Sequence, residues 1–215
     1  YRGRDVLVVG TGNSGAEIAA ELAAGGATRV RIAVRTGPNI LPRSILGLPT
    51  QVTGVLFGAM PAAAMDVMIR GLQRVLFGDL KRLGLPPPPR GLFTQIERDR
   101  AVPIIDVGLV AALAERRVEA VAAVESSDGE TVQLADGSTI APDLVIAATG
   151  FRPDLSGLIG ADLPLDDSGL PRLSRSAEAE GAPGLYFAGY MVSAGGVLRA
   201  IARQSERIAR AIATR

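Results

Sequence analysis

Three glycines near the start of the chain have the spacing of a phosphate-binding turn. Gly10, Gly12 and Gly15 form a Gly-x-Gly-x-x-Gly pattern between a run of apolar β-formers and an alanine-rich stretch. In a strand–turn–helix unit the first glycine permits the tight turn, the second lets a pyrophosphate approach the backbone, and the third lets the helix pack on the strand. The helix N-terminus adds free N–H groups and a partial positive charge. The pattern predicts a dinucleotide-binding site, and a glycine turn without a ligand is the alternative.

A basic residue after the next predicted strand bears on the choice of nucleotide. Residues 30–34 predict the second strand, and Arg35 and Thr36 follow it. An acidic residue at this place would bind the ribose 2′-hydroxyl of NAD. A guanidinium beside a hydroxyl suits a 2′-phosphate instead. The sequence therefore favours NADP, with a solvated arginine at the end of a strand as the alternative.

The composition restricts the chemistry that side chains can perform. The 215 residues include no cysteine and no histidine, which excludes disulfides, thiolate catalysis, Ser-His-Asp chemistry and most transition-metal sites. An enzyme of this composition needs a cofactor for the difficult chemistry, and the sequence offers no candidate catalytic residue or metal ligand. The formal net charge of +1, without a basic block, argues against binding to nucleic acid.

These site residues require an α/β framework, which we expect to be a Rossmann-like domain over residues 1–150 with a parallel sheet and a β-hairpin layer. The first helix is expected from about Asn13 to Ala24, before two glycines. Residues 102–106 predict a short strand and residues 107–116 a short helix. Residues 118–124 and 131–134 predict a β-hairpin, joined by a turn at residues 126–129. Residues 143–150 predict a buried parallel strand.

The segment from Ser44 to Leu83 is expected to be an interrupted helical insertion. Its predicted apolar face consists of Val67, Ile69, Leu72, Val75, Leu76 and Leu80. Residues 44–65 carry no charge, which raises a membrane span, but prolines and glycines break the run, and a buried or interfacial helical pair is the plainer interpretation. Residues 85–91 are rich in proline and predict a stiff connector; a ligand for a small recognition domain is the alternative.

Residues 151–215 are expected to form part of a second domain. The composition predicts loops over residues 151–181, a buried strand over residues 184–188 and a turn of small residues over 190–196. An amphipathic helix is predicted from Val197 to Thr214. Its apolar face consists of Val197, Ala200, Ile201, Ile208, Ala211 and Ile212.

Six stretches together carry the pattern of one family. Residues 8–19 resemble its NADPH fingerprint, including an Asn-Ser pair, and residues 34–43 resemble the segment after its second strand. Residues 81–86 and 103–108 match more specific landmarks. Residues 146–152 resemble a linker motif, and residues 184–189 with the last helix resemble a C-terminal return into an FAD domain. The chain thus resembles the second half of class B flavin-dependent monooxygenases, most closely the YUCCA-type branch.

The resemblance implies NADPH and FAD as cofactors of the intact enzyme. NADPH would reduce FAD, O₂ would form a C4a-(hydro)peroxyflavin, and one oxygen would go to a small organic substrate. The implied cofactor-binding residues are Gly10, Thr11, Gly12, Asn13, Ser14 and Gly15 for the pyrophosphate, Arg35 and Thr36 for the 2′-phosphate, Thr149 and Gly150 at the domain junction, and Gly189, Ser193, Gly195 and Gly196 for the flavin. Asp106 matches a landmark without an assigned role, and a helix N-cap is its structural interpretation.

Such enzymes carry an FAD fingerprint and a histidine-containing fingerprint that this sequence lacks. We therefore expect a fragment, inactive alone, made of an NADPH-binding domain (1–150) and the C-terminal strand and helix of an incomplete FAD domain (151–215). The same half of a related FAD/NAD(P)H reductase and a stand-alone NADP-binding module are the alternatives. A short-chain dehydrogenase is disfavoured because no Tyr-x-x-x-Lys occurs.

The expected surroundings of the protein follow from the same interpretation. We expect a cytoplasmic location, a small-molecule substrate and O₂ as partners, and neither nucleic acid nor a membrane span. Without the rest of the FAD domain, apolar surface would be exposed and the fragment could associate with itself. The sequence does not identify the substrate.

Overall fold

The computed structural model describes residues 1–45, 47–50, 52, 60–99, 101–151, 154–159, 163–166, 169–190 and 196–214. They divide into two compact units: the first contains residues 1–50 and 60–150, and most of the second follows residue 150. The first unit contains, in chain order, β1 (Asp5–Val9), α1 (Asn13–Ala24), β2 (Arg29–Val34), β3 (Ile40–Pro42), β4 (Ser44–Ile45), β5 (Leu48–Pro49), α2 (Ala62–Phe77), a 3-10 helix (Leu80–Leu83), α3 (Leu92–Asp99), β6 (Ile104–Asp106), α4 (Leu109–Ala114), β7 (Glu119–Ala122), β8 (Val124–Ser127), β9 (Val132–Leu134), β10 (Thr139–Ile140) and β11 (Leu144–Ala147). The second unit contains α5 (Leu155–Ile159) and α6 (Val197–Ala213).

A four-stranded parallel sheet organises the first unit. Its strand order is β11-β1-β2-β7, and β1 pairs in parallel with both β2 and β11. The strand–turn–helix–strand order predicted for the start of the chain is confirmed, with α1 beginning at Asn13 and ending at Ala24. Because β1 has a neighbour on either side, its carboxyl end lies where ligands usually bind in an open α/β sheet.

The two faces of this sheet are covered differently. Alternate residues such as Val6, Val8 and Ile32 are fully buried beneath α1 and α4. On the opposite face, Leu7 and Ala33 pack in a cluster with residues of β8 and β9. This alternation follows from the period of two in a β-strand. The parallel sheet is therefore the middle layer of the unit.

The predicted hairpin is correct in its turn but wrong in the extent of its first strand. Residues 118–124 do not form one strand: β7 joins the parallel sheet beside β2, whereas β8 pairs with β9 in an antiparallel sheet that β10 completes. Asp128 in the β8–β9 turn accepts hydrogen bonds from the backbone of Thr131 and Glu130, and these bonds lower the pKa of its carboxyl. The apolar run over residues 118–124 thus contributes to both the parallel and the antiparallel sheet.

An ion-pair cluster lies near the amino ends of three strands of the parallel sheet. Arg31 in β2 is only 4% exposed, and its guanidinium Nη1 lies 2.8 Å from Oδ1 of Asp5. Glu119 in β7 lies 3.8 Å from Arg31 Nε and 2.7 Å from the exposed Arg29. The charges thus cross-link three adjacent strands. Burying a charged side chain is tolerable because it is paired.

The prediction of an interrupted helical segment over residues 44–83 is tested only in part, because residues 46, 51 and 53–59 lie outside the described residues. Ser44–Ile45 and Leu48–Pro49 form two short antiparallel strands instead of a helix. Thr50 and Val52 are helical, and a long helix begins at Ala62. Its buried residues are Met65, Asp66 and Ile69. The predicted apolar face is correct for Ile69, which is buried, and for Leu72 and Leu80, which are half-buried. It is wrong for Val67, Val75 and Leu76, which are 69%, 83% and 49% exposed.

Strand β11 is parallel to β1 as predicted, but it is not buried. Val145 is 52% exposed and Leu144 is 43% exposed, since β11 lies at an edge of the sheet. An apolar run bounded by glycine predicts a central strand, yet here one side of the strand has no neighbour among the described residues.

The second unit is held by a small apolar cluster that includes Leu155, Leu163, Ala179 and Phe187. The strand predicted over residues 184–188 is wrong, because only a single bridge joins Tyr186 to Glu178. The last helix is confirmed as α6, although Gln204 is its one fully buried residue. Among the described helices, none combines the length and the apolar character needed to cross a bilayer.

Candidate nucleotide-binding site

Gly10 makes the turn at the carboxyl end of β1. Its φ of +113° lies in the region that favours glycine, and its N–H donates to the carbonyl of Ala33 at 3.3 Å. A Cβ at this position would lie 2.4 Å from the carbonyl oxygen of Ala148. Gly10 is therefore required both by the backbone angle and by the strand beside it.

Gly15 brings α1 against this turn. A Cβ on Gly15 would lie 2.0 Å from the carbonyl oxygen of Gly10, and 3.4 Å from the side chain of Ala148. No real Cβ approaches a backbone oxygen so closely, so a larger residue would push the helix away from the strand. The helix–strand packing expected for the third glycine is thus present.

Gly12 occupies different surroundings from the other two glycines. It is the N-cap residue of α1, with extended backbone angles and no side-chain hydrogen bond at the cap. A Cβ built on Gly12 has no heavy atom within 4 Å. The first N–H groups of a helix have no partner within the helix. Space is therefore open for a ligand directly in front of these donors, and a pyrophosphate fits the surroundings of Gly12.

The side chains of Asn13 and Thr11 have partners within the protein that the sequence did not predict. The side chain of Asn13 donates from Nδ2 to the carbonyl of Pro103 at 3.0 Å and accepts from the N–H of Ile105 at 2.8 Å. It thus ties the start of α1 to β6, and only its backbone N–H is available for a phosphate. Thr11 Oγ1 lies 3.5 Å from the carbonyl of Thr36. Ser14 is exposed on the first turn of the helix.

The structure brings Arg35 and Thr36 next to the glycine turn. They follow β2, which pairs with β1 up to Val9 and Ala33, and both are exposed. The contact between Thr11 and Thr36 joins the two turns at the same edge of the sheet. A guanidinium at this edge can reach the phosphate groups of a nucleotide bound across it.

Gly37 is a residue of this turn whose role was not predicted. It is buried, and a Cβ on it would lie 2.0 Å from the carbonyl oxygen of Pro86 and 2.5 Å from that of Pro87. The loop of Arg35 therefore packs directly on the proline-rich segment. The glycine itself was visible in the sequence, but its distant partner was not.

Thr149 and Gly150 follow β11 and reach the same edge from the other side of β1. The N–H of Ala148 donates to the carbonyl of Val9 at 2.9 Å, which holds the end of β11 against the glycine turn. Thr149 and Gly150 are exposed, and Gly150 has a φ of +87°. Within the first unit, all predicted residues thus converge on the carboxyl edge around β1.

The residues implied for the flavin belong to the second unit. Ser193 and Gly195 lie outside the described residues. The N–H of Gly189 donates to Oε1 of the buried Gln204 at 2.9 Å, so this N–H is already engaged. Gly196 is the N-cap residue of α6, with a φ of +93° and no side-chain hydrogen bond at the cap. Among the described residues, the N-terminal end of α6 is the part that fits an electron-rich group, because a helix N-terminus carries a partial positive charge.

Asp106 has a structural role in the first unit. Its Oδ1 accepts hydrogen bonds from the N–H groups of Gly108 and Val110, at 3.3 and 3.1 Å. It therefore satisfies N–H groups at the start of α4, although the N-cap residue of that helix is Gly108 rather than Asp106.

Curated relatives cover most of the chain. It is 31% identical over 191 residues to the probable indole-3-pyruvate monooxygenase YUCCA3 of Arabidopsis thaliana. It is 33% identical over 192 residues to the indole-3-pyruvate monooxygenase YUCCA4 of Oryza sativa subsp. japonica. Both alignments include 88% of this chain, but only 44% and 43% of the relatives. The chain is a relative of the YUCCA-type flavin monooxygenases. It spans less than half the length of these two relatives.

Solved structures agree with this relationship. The flavin-containing monooxygenase from Stenotrophomonas maltophilia superimposes with a TM-score of 0.54 at 27% identity, over 98% of this chain and 51% of that protein. A cyclohexanone monooxygenase from Rhodococcus, bound to NADP⁺, has a TM-score of 0.57 at 17% identity, over 98% of this chain and 52% of that protein. At that identity the second match shows the fold alone. No protein-family model matches the chain.

A reductase also shares the fold. The bacillithiol disulfide reductase of Bacillus cereus superimposes with a TM-score of 0.53 at 19% identity, a likeness of fold only. The two curated relatives described above are monooxygenases at 31% and 33% identity, which favours the monooxygenase interpretation over the reductase.

Proposed function

We propose that this chain is the NADPH-binding part of an FAD- and NADPH-dependent monooxygenase. The observation that carries the proposal is the contrast among the three glycines: Gly10 and Gly15 are closed in by backbone, whereas Gly12 opens onto free space at the start of α1. A turn that only connected a strand to a helix would not need a glycine at the open position. The relationship to flavin monooxygenases supports the rest.

Each residue of the carboxyl edge then has a physical task. The N–H groups at the start of α1 would bind the pyrophosphate, and Gly12 would let it approach. Arg35 would bind the 2′-phosphate and so select NADPH over NADH. Thr149 and Gly150 would bound the site on the side of β11. The start of α6 would face the flavin.

The bound cofactors supply the redox chemistry, in which NADPH provides the electrons and the flavin activates O₂. The chain itself would bind, orient and exclude water, which suits a sequence without histidine or cysteine. We propose a small organic substrate, as the names of the relatives suggest, and a cytoplasmic location.

Arg35→Ala tests the assignment of the nucleotide. Calorimetric titration of the purified chain should show that the substitution weakens NADPH binding by about tenfold or more, because a charge-assisted hydrogen bond to phosphate is lost. NADH, which lacks the 2′-phosphate, should bind the variant as it binds the original chain. Arg98→Ala, which removes an exposed arginine on α3, is the matched control and should change neither.

Two results would contradict the proposal. If Arg35→Ala weakened the binding of NADPH and of NADH equally, Arg35 would not be the residue that binds the 2′-phosphate. Tight, stoichiometric FAD in the purified chain would show that the described residues suffice for the flavin site, and the chain would then be more than an NADPH-binding part.

A further inference from the structure

The turn that carries Arg35 is contacted twice by one distant segment of the first unit. Residues 35–39 connect β2 to β3, and the proline-rich segment, residues 85–91, passes beside them. Gly37 contacts the beginning of this segment and Asn39 contacts its end. Neither Gly37 nor Asn39 is among the residues assigned above to NADPH or FAD. The two contacts therefore concern the support of the turn.

At Gly37 the turn and the segment meet backbone against backbone. Gly37 is buried, and a Cβ built on it would lie 2.0 Å from the carbonyl oxygen of Pro86 and 2.5 Å from that of Pro87. The φ of Gly37 is outside the left-handed region, so its backbone angles do not require glycine. Glycine is required by space alone, because no side chain fits between the turn and these two carbonyl groups.

At Asn39 the turn is held by hydrogen bonds. Asn39 is only 4% exposed, and its Nδ2 donates to the carbonyl of Arg90 at 3.1 Å and to Oε1 of Gln95 at 2.5 Å. Its own carbonyl accepts from the N–H of Ile104 at 2.9 Å. Rotation of this side chain would leave buried polar groups without partners, which is costly. The end of the turn is thus fixed to the proline-rich segment, to α3 and to β6.

The proline-rich segment is itself a stiff support. Leu85 is 1% exposed and belongs to the core cluster beneath the parallel sheet, and its N–H donates to the carbonyl of Leu80 at 3.2 Å. Four prolines follow Leu85, and each has a φ fixed by its ring. The rings of Pro86 and Pro87 are exposed. These two residues therefore contact Gly37 through their backbone while their rings lie largely in solvent.

The side chain of Arg35 is free, in contrast to the backbone that carries it. Arg35 is exposed, and within the described part of the chain it forms no ion pair. On the side of the glycine turn, the carbonyl of Thr36 accepts from Thr11 Oγ1 at 3.5 Å. The backbone after Arg35 is thus held from both sides. Fixing a binding group in advance reduces the entropy that is lost when its ligand binds.

We propose that the proline-rich segment positions Arg35, through Gly37 and Asn39, and thereby sets the selectivity for NADP over NAD. This role rests on the proposed function, in which Arg35 binds the 2′-phosphate. Gly37 and Asn39 are positioning residues, since they act on the nucleotide only through the backbone of the turn. A guanidinium binds a phosphate best through two parallel hydrogen bonds, and this geometry requires a fixed origin of the side chain. Selectivity then depends on a segment outside the strand–turn–helix unit.

The test compares the affinities of the full chain for NADP⁺ and for NAD⁺ by calorimetric titration. Gly37→Ala should lower the ratio of the two affinities by about fivefold or more, because the turn must move away from Pro86 and Arg35 then loses the geometry for two hydrogen bonds to the 2′-phosphate. The affinity for NAD⁺ should change by less than about twofold, since the pyrophosphate is bound at the start of α1.

A second variant tests the same role without adding a side chain to the buried contact. Pro86→Gly combined with Pro87→Gly replaces exposed side chains and keeps both carbonyl groups, but it removes the fixed φ angles. The ratio of the two affinities should fall in the same direction as in Gly37→Ala. Pro183→Gly, at an exposed proline of the second unit, is the matched control and should leave the ratio unchanged. Circular dichroism shows whether each variant is folded.

Arg35→Ala separates a failure of this role from a failure of the proposed function. If Arg35→Ala removes the preference for NADP⁺ while the folded Gly37→Ala and double proline variants keep it, the positioning role is wrong and the proposed function stands. Equal losses of affinity for NADP⁺ and NAD⁺ would also overturn the positioning role, because a general disturbance of the fold weakens both. If Gly37→Ala does not fold, the double proline variant decides by the same criteria. Absence of a preference in the original chain, or a preference that survives Arg35→Ala, would contradict both.

Discussion

At the scale of single residues, the three glycines of the turn differ in what a side chain would meet. Gly10 and Gly15 face backbone oxygens at 2.4 and 2.0 Å, while Gly12 faces open space. The sequence predicted these roles because the pattern has one geometry in a strand–turn–helix unit. The structure adds that Gly10 and Gly15 are needed for the fold, whereas the fold alone leaves room for a side chain at Gly12.

Gly15→Ala should destabilise the first unit by about 3 kcal/mol, because a methyl group must displace the carbonyl of Gly10 or the whole of α1. Urea denaturation followed by circular dichroism measures the free energy of unfolding. Gly71→Ala is the control: Gly71 lies in α2 with nothing within 4 Å of its Cβ. That change should stabilise by about 0.5–1 kcal/mol, as helix propensity predicts. An unfolding midpoint for Gly15→Ala equal to that of the original chain would show that the close packing is not real.

Other residue roles could not be predicted because their partners are far along the chain. Asn13 was expected to contact the pyrophosphate, yet its side chain bonds to Pro103 and Ile105. Gly37 packs on the carbonyl groups of Pro86 and Pro87. A local motif indicates which residue types are present, but only the fold decides which side chains are already engaged.

At the scale of elements, α3 depends on a side chain of another helix. Asp66 in α2 binds the N–H groups of Phe93 and Thr94, at the start of α3. A short helix has a marginal stability of its own, so a cap of this kind has a large influence. The capping residue lies 27 residues before Phe93, so no local pattern around α3 could indicate it.

Asp66→Ala should destabilise the first unit by about 2 kcal/mol, since three donors of α3 lose their acceptor. Asp66→Asn keeps one acceptor oxygen and should lose less. Amide hydrogen exchange resolves the effect locally, with faster exchange expected at Phe93 and Thr94 before any change in β1. Unaltered protection of those two amides in Asp66→Ala would disprove the capping role.

The strands show how far pattern alone can go. Strands β1 and β2 were predicted because apolar runs beside a glycine turn have few alternatives. Residues 118–124 were assigned to one strand, although a chain can leave one sheet and enter another without any break in its apolar pattern. The apolar sequence of β11 predicts a buried strand. The strand is exposed because it lies at the edge of the sheet, and that position depends on the pairing of all the strands. Residues 184–188 contain apolar residues but form a single bridge.

At the scale of the whole molecule, the described chain exposes large apolar side chains. Val75 is 83% exposed, Leu198 is 84% exposed and Phe151 is fully exposed. Isolated exposed apolar residues are ordinary, but several together favour association. Val75 and Leu76 are neighbours on α2, where the sequence had predicted a buried face.

We expect the chain to self-associate at high concentration, and Val75→Lys combined with Leu76→Lys to reduce this association without lowering the melting temperature. The reason is that both side chains lie largely in solvent and contribute little to the core. Sedimentation equilibrium measures the mass of the particle. Ala63→Lys, at an exposed position on the same helix, is the matched control. A monomeric original chain at all concentrations would rule out this surface as a cause of association.

The central claim is that the opening turn binds NADP through space that Gly12 leaves free, and Gly12→Ala tests it most directly. Its extended backbone angles suit any residue, and its Cβ would meet nothing within 4 Å. Calorimetric titration with NADP⁺ and a thermal melt should be made on the original chain and the variant. We expect measurable NADP⁺ binding by the original chain. In the variant the affinity should fall by about tenfold or more, because the methyl group occupies the approach of the pyrophosphate, while the melting temperature should stay unchanged. Equal affinity of the two proteins for NADP⁺, or no binding by the original chain, would contradict the claim.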